Sequence, residues 1–119
     1  MKIKGFVDDN FCPRIPFQSF HGKKLSLVVD TGFNGSLCLP KALIEELNFQ
    51  PVGTYEIELA DGSRIPSAIY AGEILWFRKK KEVLAHETVS QDGLVGTQLL
   101  RDTYVELDLS KGFVLITQK

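Results

Sequence analysis

Apolar residues along the chain fall into short runs and alternations, and most repeat with the period of two that marks strands rather than the 3.6 of helices. Residues 3–7 predict a first short strand. Pro13 and Pro16 punctuate the next segment and predict a loop or an edge strand, because proline donates nothing to a ladder. His21, Gly22, Lys23 and Lys24 read as a turn, and residues 25–29 as a strand. Leu25, Leu27, Val28 and Val29 are all apolar, so both faces of that strand's end are expected to be buried. Residues 36–39 return as a strand. Pro40 suits the first turn of a helix, where its missing N–H costs nothing. Leu43, Ile44 and Leu47 then share one face, with Glu45 and Glu46 opposite, which predicts a helix over 41–47 stopped at Asn48.

In the second half, Tyr55, Ile57 and Leu59 alternate with Glu56 and Glu58, the pattern of a half-buried strand. Asp61-Gly62 is a strong hairpin signal. The returning arm carries Ile65, Ile69 and Tyr70 and runs into Ile74-Leu75-Trp76-Phe77, and residues 82–89 predict another strand. Gln91-Asp92-Gly93 is a turn before Leu94-Val95-Gly96. Residues 97–102 fit one helical turn or two, with Thr97 as N-cap and Leu99 and Leu100 inward. Residues 104–109, a turn at Ser110-Lys111-Gly112, and residues 113–117 close the chain as two strands. No internal repeat, linker or low-complexity tract interrupts this. The pattern predicts a single mostly-β domain over residues 1–119, a compact closed sheet or barrel with one or two short helices.

A chain of 119 residues buries a usable core without disulfides or metal. The formal net charge of -1 calls for neither nucleic acid nor a membrane as partner. The basic block Arg78-Lys79-Lys80-Lys81 reads as a solvated hairpin end; without clustered aromatics it makes a weak case for a nucleic-acid-binding barrel. Cys12 and Cys38 have no metal spacing and are expected to be small buried hydrophobes. Neither a leader-like segment nor an apolar run long enough to span a bilayer is visible, so the expected location is cytoplasmic.

Most candidate chemistry is eliminated by spacing. No close histidine pair offers zinc ligands, so no metal and no cofactor is expected. There is no phosphate loop or nucleophile elbow, and Asp8-Asp9-Asn10 is not a calcium loop. His21 and His86 stand apart and are expected to be surface or hydrogen-bonded residues. Asp102-Thr103 is followed by Tyr104 rather than glycine. There remains Asp30-Thr31-Gly32, a carboxylate at the end of an apolar strand, with a hydroxyl and a glycine after it. Taken alone, it is equally an Asx-type turn that ends the strand.

With its flanks, a Leu-Val-Val lead-in and then Phe33-Asn34-Gly35-Ser36, the stretch resembles the active-site loop of aspartic proteases. More narrowly, it is similar to the prokaryotic retropepsin-like proteins of clan AA that carry D-T-G-F here. The order of elements matches over most of the chain: a short helix at 41–47, a flap hairpin at 55–69, the Leu94-Val95-Gly96 segment, a short helix at 97–102 and closing strands. Two departures stand out. Phe33 and Asn34 come after the motif where viral retropepsins place a small residue and an acid, and Thr97 stands where those enzymes commonly have arginine.

The resemblance implies a retropepsin-like closed barrel and an aspartic endopeptidase acting on extended polypeptide. One motif in a chain one lobe long implies a homodimer, with Asp30 supplied by each subunit. Residues 1–5 and 114–117 would be interface strands, by analogy with interleaved viral termini. Two carboxylates ~3 Å apart repel by roughly 5 kcal/mol at an effective dielectric near 20. Such a pair shares one proton, for which aspartic proteases are the standard instance. The ionised member activates a water and the protonated one polarises the scissile carbonyl. Thr31 and Gly32 would support the loop, Leu94, Val95 and Gly96 would back it, and Asp61, Gly62 and Ser63 would close over substrate. The departures motivate a second expectation, a retropepsin-fold dimer that no longer cleaves and serves as a peptide-binding or assembly module.

Overall fold

Strand-forming sequence dominates, and the computed structural model, which describes residues 1–19 and 22–119, is mostly β, with 59% strand against 5% helix. The expected role of His21 lies outside the described residues. The strands are β1 (Lys2–Val7), β2 (Pro13–Ser19), β3 (Lys24–Val29), β4 (Leu37–Pro40), β5 (Gln50–Glu58), β6 (Arg64–Trp76), β7 (Lys79–Thr88), β8 (Leu94–Val95), β9 (Thr103–Asp108) and β10 (Phe113–Gln118). Among the described residues there is one helix, α1 (Lys41–Glu46), between β4 and β5.

All ten strands join one hydrogen-bonded sheet in the order β5-β6-β7-β4-β8-β3-β2-β1-β10-β9. An additional pairing of β6 with β2, Gln18 opposite Leu75, closes six of them into a ring. Inside the ring, Ile15, Leu27, Leu37, Leu39, Ile74 and Val95 are fully buried. Ile44 and Leu47 of the α1 region and Leu99 and Leu100 join the same core, as their spacing predicts. Among the described residues no helix is long and apolar enough to cross a membrane.

Several expectations change. The proline segment is not an edge: β2 pairs with β3 along most of its length. Pro16 is tolerated because it falls between the part of β2 that β1 covers, Pro13 and Arg14, and the part that β6 covers, Gln18 and Ser19. Pro40 is the N-cap of α1, with extended backbone, rather than its first helical residue. Residues 97–102 form one turn, closed by the Leu100 N–H on the Gly96 carbonyl and ended by Asp102 in a left-handed conformation (φ 63°). The cysteines are half-buried, not core residues, and both are free.

The β5–β6 hairpin forms as expected, Ile57 opposite Ile65, with Gly62 at φ 85° in its loop. Its arm is not half-buried, however: nearly every residue of β5 is exposed, and Tyr55, Leu59 and Ile65 are open to solvent. The Arg78–Lys81 stretch is exposed, as expected of a hairpin end; Phe77 and Arg78 (φ 51° and 64°) make the two-residue turn between β6 and β7. The terminal strands pair with each other within the chain, Lys2 opposite Thr117. β10 has β1 on one edge and β9 on the other, so residues 114–117 have no free edge for a partner strand.

Candidate active site

The Asp30 loop is shaped by the two-residue strand β8. Val95 lies parallel to Val29 on one side and antiparallel to Leu37 on the other, so β8 holds together the strands that enter and leave the loop. The Asp30 N–H donates to the Val95 carbonyl at 2.9 Å. Within the loop, the Gly32 N–H donates to Asp30 Oδ1 at 2.9 Å and the Phe33 N–H to the Asp30 carbonyl at 3.2 Å. Residues 30–33 are therefore a tight turn stabilised partly by the carboxylate itself. Asp30 is half-buried, while Thr31 and Gly32 are exposed.

The segment after β8 clamps the loop's far half. The Gly96 N–H donates to the Ser36 carbonyl (3.0 Å), Thr97 N–H to the Phe33 carbonyl (2.8 Å) and Gln98 N–H to the Gly35 carbonyl (3.2 Å). Thr97, expected as a helix cap, instead adds its hydroxyl to the Phe33 carbonyl at 3.2 Å. The Ser36 hydroxyl donates to Gln98 Oε1 at 3.3 Å. Gly96 is required by space: a Cβ there would lie 2.2 Å from the Gly35 carbonyl oxygen and 2.5 Å from the Phe33 ring. The structure thus brings Asp30, Thr31, Gly32, Val95 and Gly96 into one unit, with Leu94 pairing beneath.

The hairpin tip closes on itself. Asp61 Oδ1 accepts from the Ser63 N–H (2.8 Å) and hydroxyl (2.5 Å), which hold its carboxyl below the ordinary aspartate range. The hairpin residue that reaches the loop is Tyr55. Its ring lies 4.7 Å from that of His86, which in turn meets Phe33 edge-on at 5.8 Å. His86 is neither a surface nor a hydrogen-bonded residue: it is half-buried, its Nδ1 is enclosed without a partner, and burial lowers its pKa. Cys38 faces His86 across the parallel β4–β7 ladder. Burial raises the Cys38 thiol, the Asp30 charge adds to this, and a hydrogen bond with Thr88 opposes it. Burial likewise raises the Tyr55 hydroxyl.

Phe33 belongs to the D-T-G-F stretch, but no sequence motif marks the group it forms with Cys38, Tyr55 and His86. Only the β4–β7 register and the lean of the hairpin assemble them, and no local pattern signals either. Beside Asp30 and Thr31 lies an open space of about 380 Å³, walled by Pro13, Val29, Val105, Leu107 and Val114. Among the described residues no group of acids, cysteines and histidines is placed to hold a metal.

No protein-family model and no curated protein matches the chain. Among solved structures it is similar to a foamy viral protease-reverse transcriptase in complex with an RNA/DNA hybrid, with a TM-score of 0.54 and 17% identity over 73% of this chain. It is also similar to a dRH form of that protein with double-stranded DNA, at TM-score 0.53 and 17% identity, again over 73% of this chain. The chain spans 11% and 14% of the lengths of those two proteins, and the likeness is one of fold.

Proposed function

We propose that the chain is a retropepsin-like aspartic endopeptidase of the clan AA type, active as a homodimer in which each subunit supplies one Asp30. The observation that carries the reading is the Asp30-Thr31-Gly32 turn, clamped by residues 95–98 and flanked by a protruding hairpin. Asp30 makes no ion pair among the described residues, and within the chain its carboxylate accepts one backbone N–H. A second carboxylate sharing a proton, with a water between the two, completes the coordination this arrangement leaves open. In the dimer one Asp30 takes a proton from that water and the other donates to the scissile carbonyl oxygen. An extended polypeptide would lie between the loop and the apolar underside of the hairpin, which excludes bulk water.

The test pairs a solution mass with an activity assay. Wild-type protein incubated with unfolded casein between about pH 4 and 7 is expected to cleave it, and a pepstatin-like inhibitor to stop it. Asp30→Asn is expected to remain a folded dimer and to lose at least about 100-fold in rate, the scale of acid-base catalysis. Cleavage retained by that variant, or a strictly monomeric active protein, refutes the proposal. A folded wild-type dimer that binds peptide without cleaving it would point to the silent peptide-binding module instead.

A further inference from the structure

A second recess lies away from the candidate active site, where β1 diverges from β2. The two strands pair only at Phe6 and Val7 opposite Arg14 and Pro13. Beyond that they separate, and the gap is capped by the end of β6 and the Phe77-Arg78 turn. The recess is open to solvent and has a volume of about 440 Å³, within the ~300–1,000 Å³ of small-molecule pockets. It lies at the start of β3, beside Lys24 and Leu25, whereas Asp30 comes after the end of that strand. At ~3.3 Å per residue the separation from Leu25 is about 17 Å.

Its chemistry is two-part. Phe17, Leu25, Leu75 and Phe77 supply an apolar floor. Lys2, Lys4, Lys24 and Arg78 supply four cations, and among the described residues no acid lines the recess. None of the four is in an ion pair among the described residues, although the chain as a whole carries a formal charge of -1. Arg78 is placed at the recess by the two-residue turn that joins β6 to β7. An apolar floor under a purely cationic rim selects against cations and against fully hydrated small anions. The first lack a counter-charge there, and the second gain nothing from the floor.

We propose that this recess binds an amphipathic anion, a hydrocarbon chain ending in a carboxylate, independently of the Asp30 site. The chain lies on Phe17, Leu25, Leu75 and Phe77, and the head accepts charge-assisted hydrogen bonds from Lys24 and Arg78. The lysine stems add apolar contact along the sides.

The protein carries its own reporter, because Trp76 is the single tryptophan and its ring meets Phe77 edge-on at 5.2 Å. Trp76 fluorescence is monitored while decanoate, decyltrimethylammonium or acetate is added to the full chain. Decanoate is expected to give a saturable change at concentrations at least about tenfold lower than either of the others. The double variant Lys24→Gln/Arg78→Gln is expected to weaken decanoate by at least about tenfold at unchanged melting temperature, and Lys111→Gln to leave it unaltered. Equal responses to the two amphiphiles, a wild-type response in the double variant, or no saturation by about 1 mM decanoate overturns the proposal. The same loss in Lys111→Gln also overturns it.

Discussion

Gly96→Ala isolates the clamp on the Asp30 loop with a single methyl group. The added Cβ would lie 2.2 Å from the Gly35 carbonyl oxygen, 2.5 Å from Phe33 Cδ2 and 2.6 Å from the Phe33 carbonyl oxygen. Two of these three atoms are backbone, and both belong to carbonyls that accept hydrogen bonds from Thr97 and Gln98. A side chain could rotate away, but the carbonyls can move only by loosening those bonds. Overpacking typically costs about 1–3 kcal/mol, and a clash with fixed backbone belongs at the upper end, about 3 kcal/mol. With roughly 2.1 cal/mol/K of unfolding entropy per residue, 119 residues give about 250 cal/mol/K, so 1 kcal/mol shifts Tm by about 4 °C. Calorimetry should therefore show a Tm lower by about 12 °C. Gly53→Ala is the matched control: it lies on the exposed β5, and its Cβ would meet nothing within 4 Å. Its Tm should stay within about 2 °C of wild type. A Gly96→Ala protein that also melts within about 2 °C of wild type would show that the loop is not packed against residues 95–98 as described.

Two further predictions concern titrating groups away from the loop's backbone. His86→Phe removes an enclosed, unpartnered Nδ1 while keeping an aromatic ring between Phe33 and Tyr55, so it is expected to raise stability at pH 7 by about 1 kcal/mol. Because burial lowers the folded His86 pKa below its ordinary 6.5, the unfolded chain binds the proton first; wild-type stability falls as pH drops from 6.5 to the folded value, and this part of the slope should vanish in the variant, as thermal melts across that range would reveal. Asp8 is held below its ordinary 3.8 chiefly by its hydrogen bond with Arg14, and then by the Cys12 N–H. Its contribution is complete above 3.8 and is lost as pH falls through the folded value, so Asp8→Asn should melt below wild type at pH 7, with the gap closing in acid; a gap independent of pH would exclude the ion pair as its source.

The sequence carried those features that depend on local pattern. Alternation located nearly every strand, and the 43/44/47 spacing placed the helix, because each reflects the side that one element must bury. The Asp30-Thr31-Gly32 loop and its partner segment at 94–96 were legible only through their flanks and the order of elements they resemble, since the three residues alone are equally an Asx-type turn and Val28 leaves one face of β3 only half-buried. Consequences of pairing at long range escaped. Pro16 argues for an edge in any one-dimensional reading, yet two different strands share that side of β2 and leave a gap where it sits. Thr97 has the character of a cap, but its donors face the Phe33 carbonyl rather than a helix. His86 looks isolated in the chain and becomes central only through its register with Cys38.

The exposed hairpin and the partly coordinated acid bear on each other. Tyr55 and Ile57 lie on one face of β5, with Leu59 just past its end, and Ile65 sits directly opposite Ile57 on the same face. Tyr55 turns that face toward the loop through its contact with His86. Apolar surface left in water forgoes about 25 cal/mol per Å², so an uncovered face on a strand is a standing cost to the single chain. Asp30 is half-buried, and its carboxylate, which can accept about four hydrogen bonds, takes one backbone donor within the chain. An extended substrate would engage both at once in the proposed dimer: its side chains cover the hairpin's underside while its scissile carbonyl and the attacking water complete the Asp30 pair. The energy of covering the hairpin is then available to hold the peptide bond at the acids, which is how remote binding contributes to the chemical step. In that arrangement the tip at Asp61, Gly62 and Ser63, whose hydrogen bonds close on themselves, would serve less than the middle of the hairpin, where Tyr55 packs on His86.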